Sequence, residues 1–271
     1  MEMPRDSIRN DFYDTYLSFR FELLRHWKRR RLLIVAALAV FIPLLFYAYT
    51  PDEAVMFAAN SLDVVRVLGA IVAAFLAGDA VCGEFERKTG LVLFPTPQRR
   101  FSIFFGKYIA ALLPTLLAAV VYFVILTLQI AQLYGWGEIP VELWRSFLVT
   151  MLTATAAVSV IFFFSSLLKR AVAAIVVGFM FLWMFSFILE GILMRVGQEP
   201  WFLVSYSSRL IVEELGVLSS LPFNPEDHAD WYDFAIELTY RPDLGVSIAV
   251  LVAYTIAGLA GGMALALRRE Q

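Results

Sequence analysis

With a single cysteine, Cys82, among 271 residues, no internal disulfide and no multi-cysteine metal or iron–sulfur centre is expected. Its place near the end of an apolar stretch reads as a packed structural thiol. Only two histidines, His26 and His228, are present, far apart and in no H-E-x-x-H pair, so zinc-dependent hydrolysis has no support. A G-x-S-x-G elbow is absent as well. Gly106–Lys107 echoes a phosphate-binding loop. Tyr108, however, stands where magnesium needs Ser or Thr, and Phe101 where the first glycine belongs. Sequons are missing too, since Asn60 is followed by Ser61 and Leu62. No cleavable signal peptide is expected, because the first apolar run starts only at Leu32. The acidic stretch with Glu226, Asp227, His228, Asp230 and Asp233 reads as a solvated loop before a divalent-cation site. No metal, cofactor-binding or catalytic residue is expected in this chain.

Charge is equally scarce. Charged residues make up 17% of the chain against 60% hydrophobic, with a mean hydropathy of +0.73. A water-soluble domain carries nearer a quarter charged, so lipid must solvate most of this surface. Six apolar stretches reach the roughly 18 residues that cross a bilayer as a helix. They are 32–49, 62–82, 103–133, 146–168, 171–194 and 246–267. The predicted fold is an all-α integral membrane protein, one membrane domain over 1–271, because no linker rich in Pro, Gly or Ser divides it. Continuous rather than alternating apolarity excludes a membrane barrel. The third stretch exceeds what a bilayer needs and contains Pro114, which predicts a tilt or kink.

Lys and Arg assign the sides. Residues 1–31, 83–107, 169–170 and 268–271 together hold 17, whereas the opposite loops 50–61, 134–145 and 195–245 hold 4. Both termini are therefore expected in the cytoplasm, with the protein in the cell membrane. Ahead of the first span, Tyr13, Leu17, Phe21, Leu24 and Trp27 recur on one face of a helix over 11–31. Such a helix lies in the membrane interface, and its other face is available to a partner. The outer loop 195–245 carries nine acidic residues and a segment, "RLIVEELGVLSSLPF", that fits a helix at the outer leaflet or a re-entrant pair.

A charge at the bilayer centre costs about 2.5–3.5 kcal/mol, so charges within spans face water, protein or each other. Asp63, Arg66, Asp79 and Glu190 qualify, all toward span ends. Asp63 and Arg66 are spaced to pair on one helix face. Local pairing and a role along a translocation path are the two readings of these four. Gly258 and Gly262 on the last span, and Ala70, Ala74 and Gly78 on the second, allow close helix approach.

Residues 83–100, "GEFERKTGLVLFPTPQRR", combine acids, cations, an apolar patch at Leu91–Phe94 and two prolines, Pro95 and Pro97. Acids at a helix start and prolines at its end describe a short amphipathic helix on the cytoplasmic face. The order of residues resembles the cytoplasmic loop of ABC type-2, export-type permeases. Glu84 and Glu86 match two acids, Thr89 the threonine, Pro97 and Arg100 a Pro-x-x-Arg, and Gly106–Lys107 the Gly-Lys of the third span. Lys88 departs from the pattern, standing where glycine precedes the threonine, while Gly90 follows it.

The resemblance implies a coupling helix over 83–102 that docks on a separate ABC ATPase, which would hold the ATP and magnesium. Its contact set would be Glu84, Glu86, Arg87, Thr89, Gly90, Pro97 and Arg100, with Lys169 and Arg170 at a second contact. It further implies pairing with a second permease copy or a paralogue, and no nucleic acid among the partners. The function so implied is the non-catalytic transmembrane subunit of an ATP-driven exporter. The alternative is an ATP-linked scaffold or maturation factor acting on an external partner through loop 195–245.

Overall fold

The computed structural model describes residues 5–48, 50–86, 99–215 and 241–268, and among them every regular element is helical. Helix α1, Arg5–Lys28, is the amphipathic element. It ends at a corner where Arg30 adopts a left-handed φ of 58°, and α2, Arg31–Leu45, leaves that corner as the first span. A 3₁₀ turn, Phe46–Ala48, finishes it. The second span, α3, runs Ala54–Ala77, starting upstream of the predicted Leu62. Asn60 and Ser61 interrupt the apolar count but not the helix, since the Ser61 hydroxyl and carbonyl are both bonded to the Tyr122 hydroxyl, at 2.9 and 3.0 Å.

After α3 the chain turns into a short helix, α4, Cys82–Glu86. Ser165 fixes this turn: its Oγ accepts the backbone N–H groups of Val81 and Cys82 at 3.0 and 3.3 Å. Helix α5, Arg100–Leu133, runs through Pro114 as one element. Helix α6 spans Leu143–Leu167, and after the exposed Lys169–Arg170 turn α7 covers Ala171–Arg195. Met180–Phe185 within α7 is π-helical. Helix α8, Val204–Glu213, and the last span, α9, Leu244–Arg268, complete the described chain.

Helices α2, α3, α5, α6, α7 and α9 match the membrane spans in length and apolarity. The chain is a multi-pass all-α membrane protein. Helices α3 and α6 form its centre, with Phe57, Leu62 and Leu76 of the former and Val158, Ile161 and Phe162 of the latter buried. Helices α2, α7 and α9 turn apolar side chains such as Phe41, Phe187 and Ile256 outward. Such surface suits hydrocarbon, in which helices associate through close packing rather than apolar burial. Helix α9 packs chiefly on α6, running parallel to it. At Gly258 an added Cβ would lie 2.7 Å from the Ser159 carbonyl, so here the two backbones touch.

The 195–245 segment contains a helix, α8, wedged against α3, α6, α7 and α9 rather than lying free. Its residues Val204–Leu210 and Ile211 are buried. The remainder of the quoted loop segment beyond Leu215, and the acidic cluster at 226–233, lie outside the described residues.

Candidate functional site

The polar face of α1 builds the site. Its aromatic stripe, with Tyr13, Phe21 and Trp27, points outward, as an interfacial helix requires, and so the opposite face meets the bundle. Contact is close because residue 106 is glycine: a Cβ there would sit 2.7 Å from both the Ser18 Cβ and the Thr15 carbonyl oxygen. The partner-facing side predicted for α1 is thus occupied in large part by α5 of the same chain.

Beyond Gly106 the charges of four elements converge. Glu84 of α4 is only 5% exposed. Its Oε1 accepts from Arg25 Nη1 at 2.6 Å and from Lys107 Nζ at 2.7 Å. Lys107, itself buried, also donates to the Ala80 carbonyl at 3.2 Å and lies 3.8 Å from Glu22. Arg25 reaches back to Glu22 at 3.2 Å. One helical turn on, Asp79, 1% exposed, receives Arg29 at 3.0 Å and also Arg31. Three carboxylates and four cations therefore tie α1, the α1–α2 corner, the α3–α4 turn and the start of α5 into one ionic cluster. Buried charges are tolerated only when paired and hydrogen-bonded in this way.

A further link runs from α4 to the fifth span. Glu86 is exposed, yet its Oε2 accepts the N–H of Ala171 at 2.9 Å, capping α7 at the positive end of its dipole. Arg100, Lys169 and Arg170 are exposed at the same end. Glu84, predicted at the surface for a partner, is instead turned inward and spent on Arg25 and Lys107. Arg87, Thr89, Gly90 and Pro97, with the leucine patch, lie outside the described residues.

His26 sits within this cluster, buried, with Nδ1 lacking a partner among the described residues. Burial holds its pKa below the ordinary 6.5, opposed by Glu22 and Asp79 and reinforced by Arg31 and Arg25. A depressed folded pKa means that the unfolded chain binds the proton first. The stabilising contribution is complete above about pH 6.5 and is lost as pH falls through the folded value. His26→Gln is expected to flatten the fall in thermal midpoint between pH 7.5 and 5.5; an unchanged slope would remove His26 as its source.

The four span charges each have a local partner. Asp63 and Arg66 pair at 2.9 Å, and Arg66 also donates to the Ser208 hydroxyl and the Ser205 carbonyl, each at 3.1 Å. Glu190 faces Arg209 of α8 at 3.5 Å. Arg66 borders a cavity of about 70 Å³ between α3, α5, α6, α7 and α8, whose walls are mostly apolar and include Thr153 and Ser205. Sequence reasoning missed Glu22, Arg25, Arg29, Arg31 and Arg209. The first three had a readable signal: with His26 they recur at helical spacing opposite the aromatic stripe.

A family model described as "ABC-2 family transporter protein" matches residues 6–201, a span that holds α1, the ionic cluster and the first five spans. No curated protein matches the chain. The chain belongs to the ABC-2 family of transporter proteins and is a membrane permease component of an ABC transporter.

Proposed function

We propose that this chain is the membrane subunit of an exporter driven by ATP that a separate ABC ATPase subunit hydrolyses, working with a second permease copy or a paralogue. The observation that carries this reading is the ionic cluster. It fastens α4, the start of the docking segment, to α1 through Arg25 and to α5 through Lys107, while Glu86 fastens it to α7. A push on residues 84–86 would therefore move an interfacial helix and two spans together. The surface offered to the ATPase is then Glu86, Arg100, Lys169 and Arg170, with Glu84 positioning the segment from behind. On the same reading both termini and this surface are cytoplasmic, the protein lies in the cell membrane, and the chain itself hydrolyses nothing. Arg66, beside the cavity under α8, and Asp63, paired with it, are the candidates for the path of the substrate, whereas Asp79 and Glu190 hold helices together.

Charge reversal at two exposed positions tests the docking surface: Lys169→Glu and Arg170→Glu together. Recovery of the ATPase subunit with the tagged permease should fall by roughly tenfold or more, with the thermal midpoint of the permease alone unchanged. Undiminished recovery together with undiminished coupled ATP hydrolysis would reject this surface.

A further inference from the structure

Beside α1, on the side away from the ionic cluster, lies a groove of about 630 Å³. Leu23, Leu24 and Trp27 of α1 wall it on one side, α2 from Leu32 to Val40 on the second and α5 from Pro114 to Val121 on the third. Every lining residue is apolar. The groove exists because the two spans face each other through small side chains, Ala36 and Ala39 on α2 and Pro114 and Ala118 on α5. Along α2 it runs about 12 Å, at 1.5 Å per residue. Water gains nothing from such walls, and apolar cavities stay dry. In a bilayer, the filler at hand is hydrocarbon.

At the end of this groove the chain turns from α1 into α2 through Lys28, Arg29 and Arg30. Arg29 and Arg31 are engaged by Asp79. Lys28 and Arg30 are exposed, with no ion pair among the described residues. Arg30 holds the left-handed conformation that a residue with a side chain rarely adopts. Two uncommitted cations thus stand where a dry, chain-shaped slot meets the membrane interface. We propose that the groove seats one acyl chain of an anionic phospholipid whose phosphate is held by Lys28 and Arg30. The slot supplies apolar contact to any lipid, and the two cations supply the preference for negative charge.

The test uses the full chain in nanodiscs with a phosphatidylglycerol that carries a diazirine on one acyl chain. Label should concentrate in peptides covering 32–40 and 114–121 rather than around the outward-facing Phe187 and Ile256. Unlabelled phosphatidylglycerol should compete better than phosphatidylcholine, on the order of tenfold, given the attraction of each cation for an anionic lipid. Lys28→Gln with Arg30→Gln should bring the two competitors to parity while groove labelling persists, and Ala36→Trp should remove the groove label. Even labelling over all outward-facing spans would overturn the proposal. So would equal competition in the unaltered protein, or a preference untouched by the double substitution. Cross-linking of the groove to a second copy in place of lipid would assign it to a protein contact and reject the lipid.

Discussion

Lys107→Ala is expected to destabilise the protein by about 3–5 kcal/mol, the range for stripping one partner from a buried charge pair. The ammonium serves Glu84, the Ala80 carbonyl and, more distantly, Glu22. Without it the two buried carboxylates, Glu22 and Glu84, lose a cation that lies between them and Arg25 must serve both. For a chain of this size each kcal/mol moves the thermal midpoint by roughly 2–4 °C, so a drop of about 6–20 °C should be seen in detergent. Lys107→Met combined with Glu84→Gln should recover at least half of that loss, because it removes the orphaned charge along with its partner. A single variant within about 1 kcal/mol of the parent, or a double no better than the single, would show that the cluster does not hold this end of the bundle.

Gly258→Leu should have an effect at least as large by a different route. The obstruction at Gly258 is backbone: a Cβ there would stand 2.7 Å from the Ser159 carbonyl carbon and oxygen and 2.9 Å from the Val160 nitrogen. No rotamer change relieves it, so α9 must move as a body away from α6. Overpacking costs typically about 1–3 kcal/mol when side chains yield, and here none can. Helix α9 has α6 as its principal neighbour, so displacement exposes its buried side. A cysteine placed at Ala266, which is fully buried, reports this: maleimide should label it quickly in the Gly258→Leu background and slowly otherwise. Cys82, buried in the bundle core, serves as the internal control. Gly258→Ala should fall between. Equal labelling in all three backgrounds would mean that the α6–α9 contact tolerates a side chain.

The six spans are legible in the sequence because the bilayer imposes a length that can be counted, and Gly258 because only small residues let backbones meet. The start of the second span is not, since a hydropathy count cannot know that Tyr122 satisfies Ser61. Glu84 shows the deeper limit. A carboxylate in a charged turn looks the same in sequence whether it faces solvent or a lysine from another span. Its burial follows from Gly106, which brings α1 close enough for Arg25 to reach it. The Gly-Lys pair that opens the third span thus has a physical reading: the glycine admits α1, and the lysine anchors α4. Helix α8 is the least visible element. Its buried serines dilute the apolar count, and it is held by pairing to Arg66 and Glu190 on other helices as well as by Val204, Leu210 and Ile211 in the core.

The π-helical stretch at Met180–Phe185 has a geometric consequence for that last pairing. A π turn takes in one residue more than an α turn, so everything beyond it is rotated by about 100° relative to an uninterrupted α-helix. Glu190 lies beyond that point, and Phe179 with its neighbours before it. The stretch acts as a phase correction within the fifth span. It lets one helix turn Val172 and Val176 outward along its first half and still bring an acid round to Arg209 in its second.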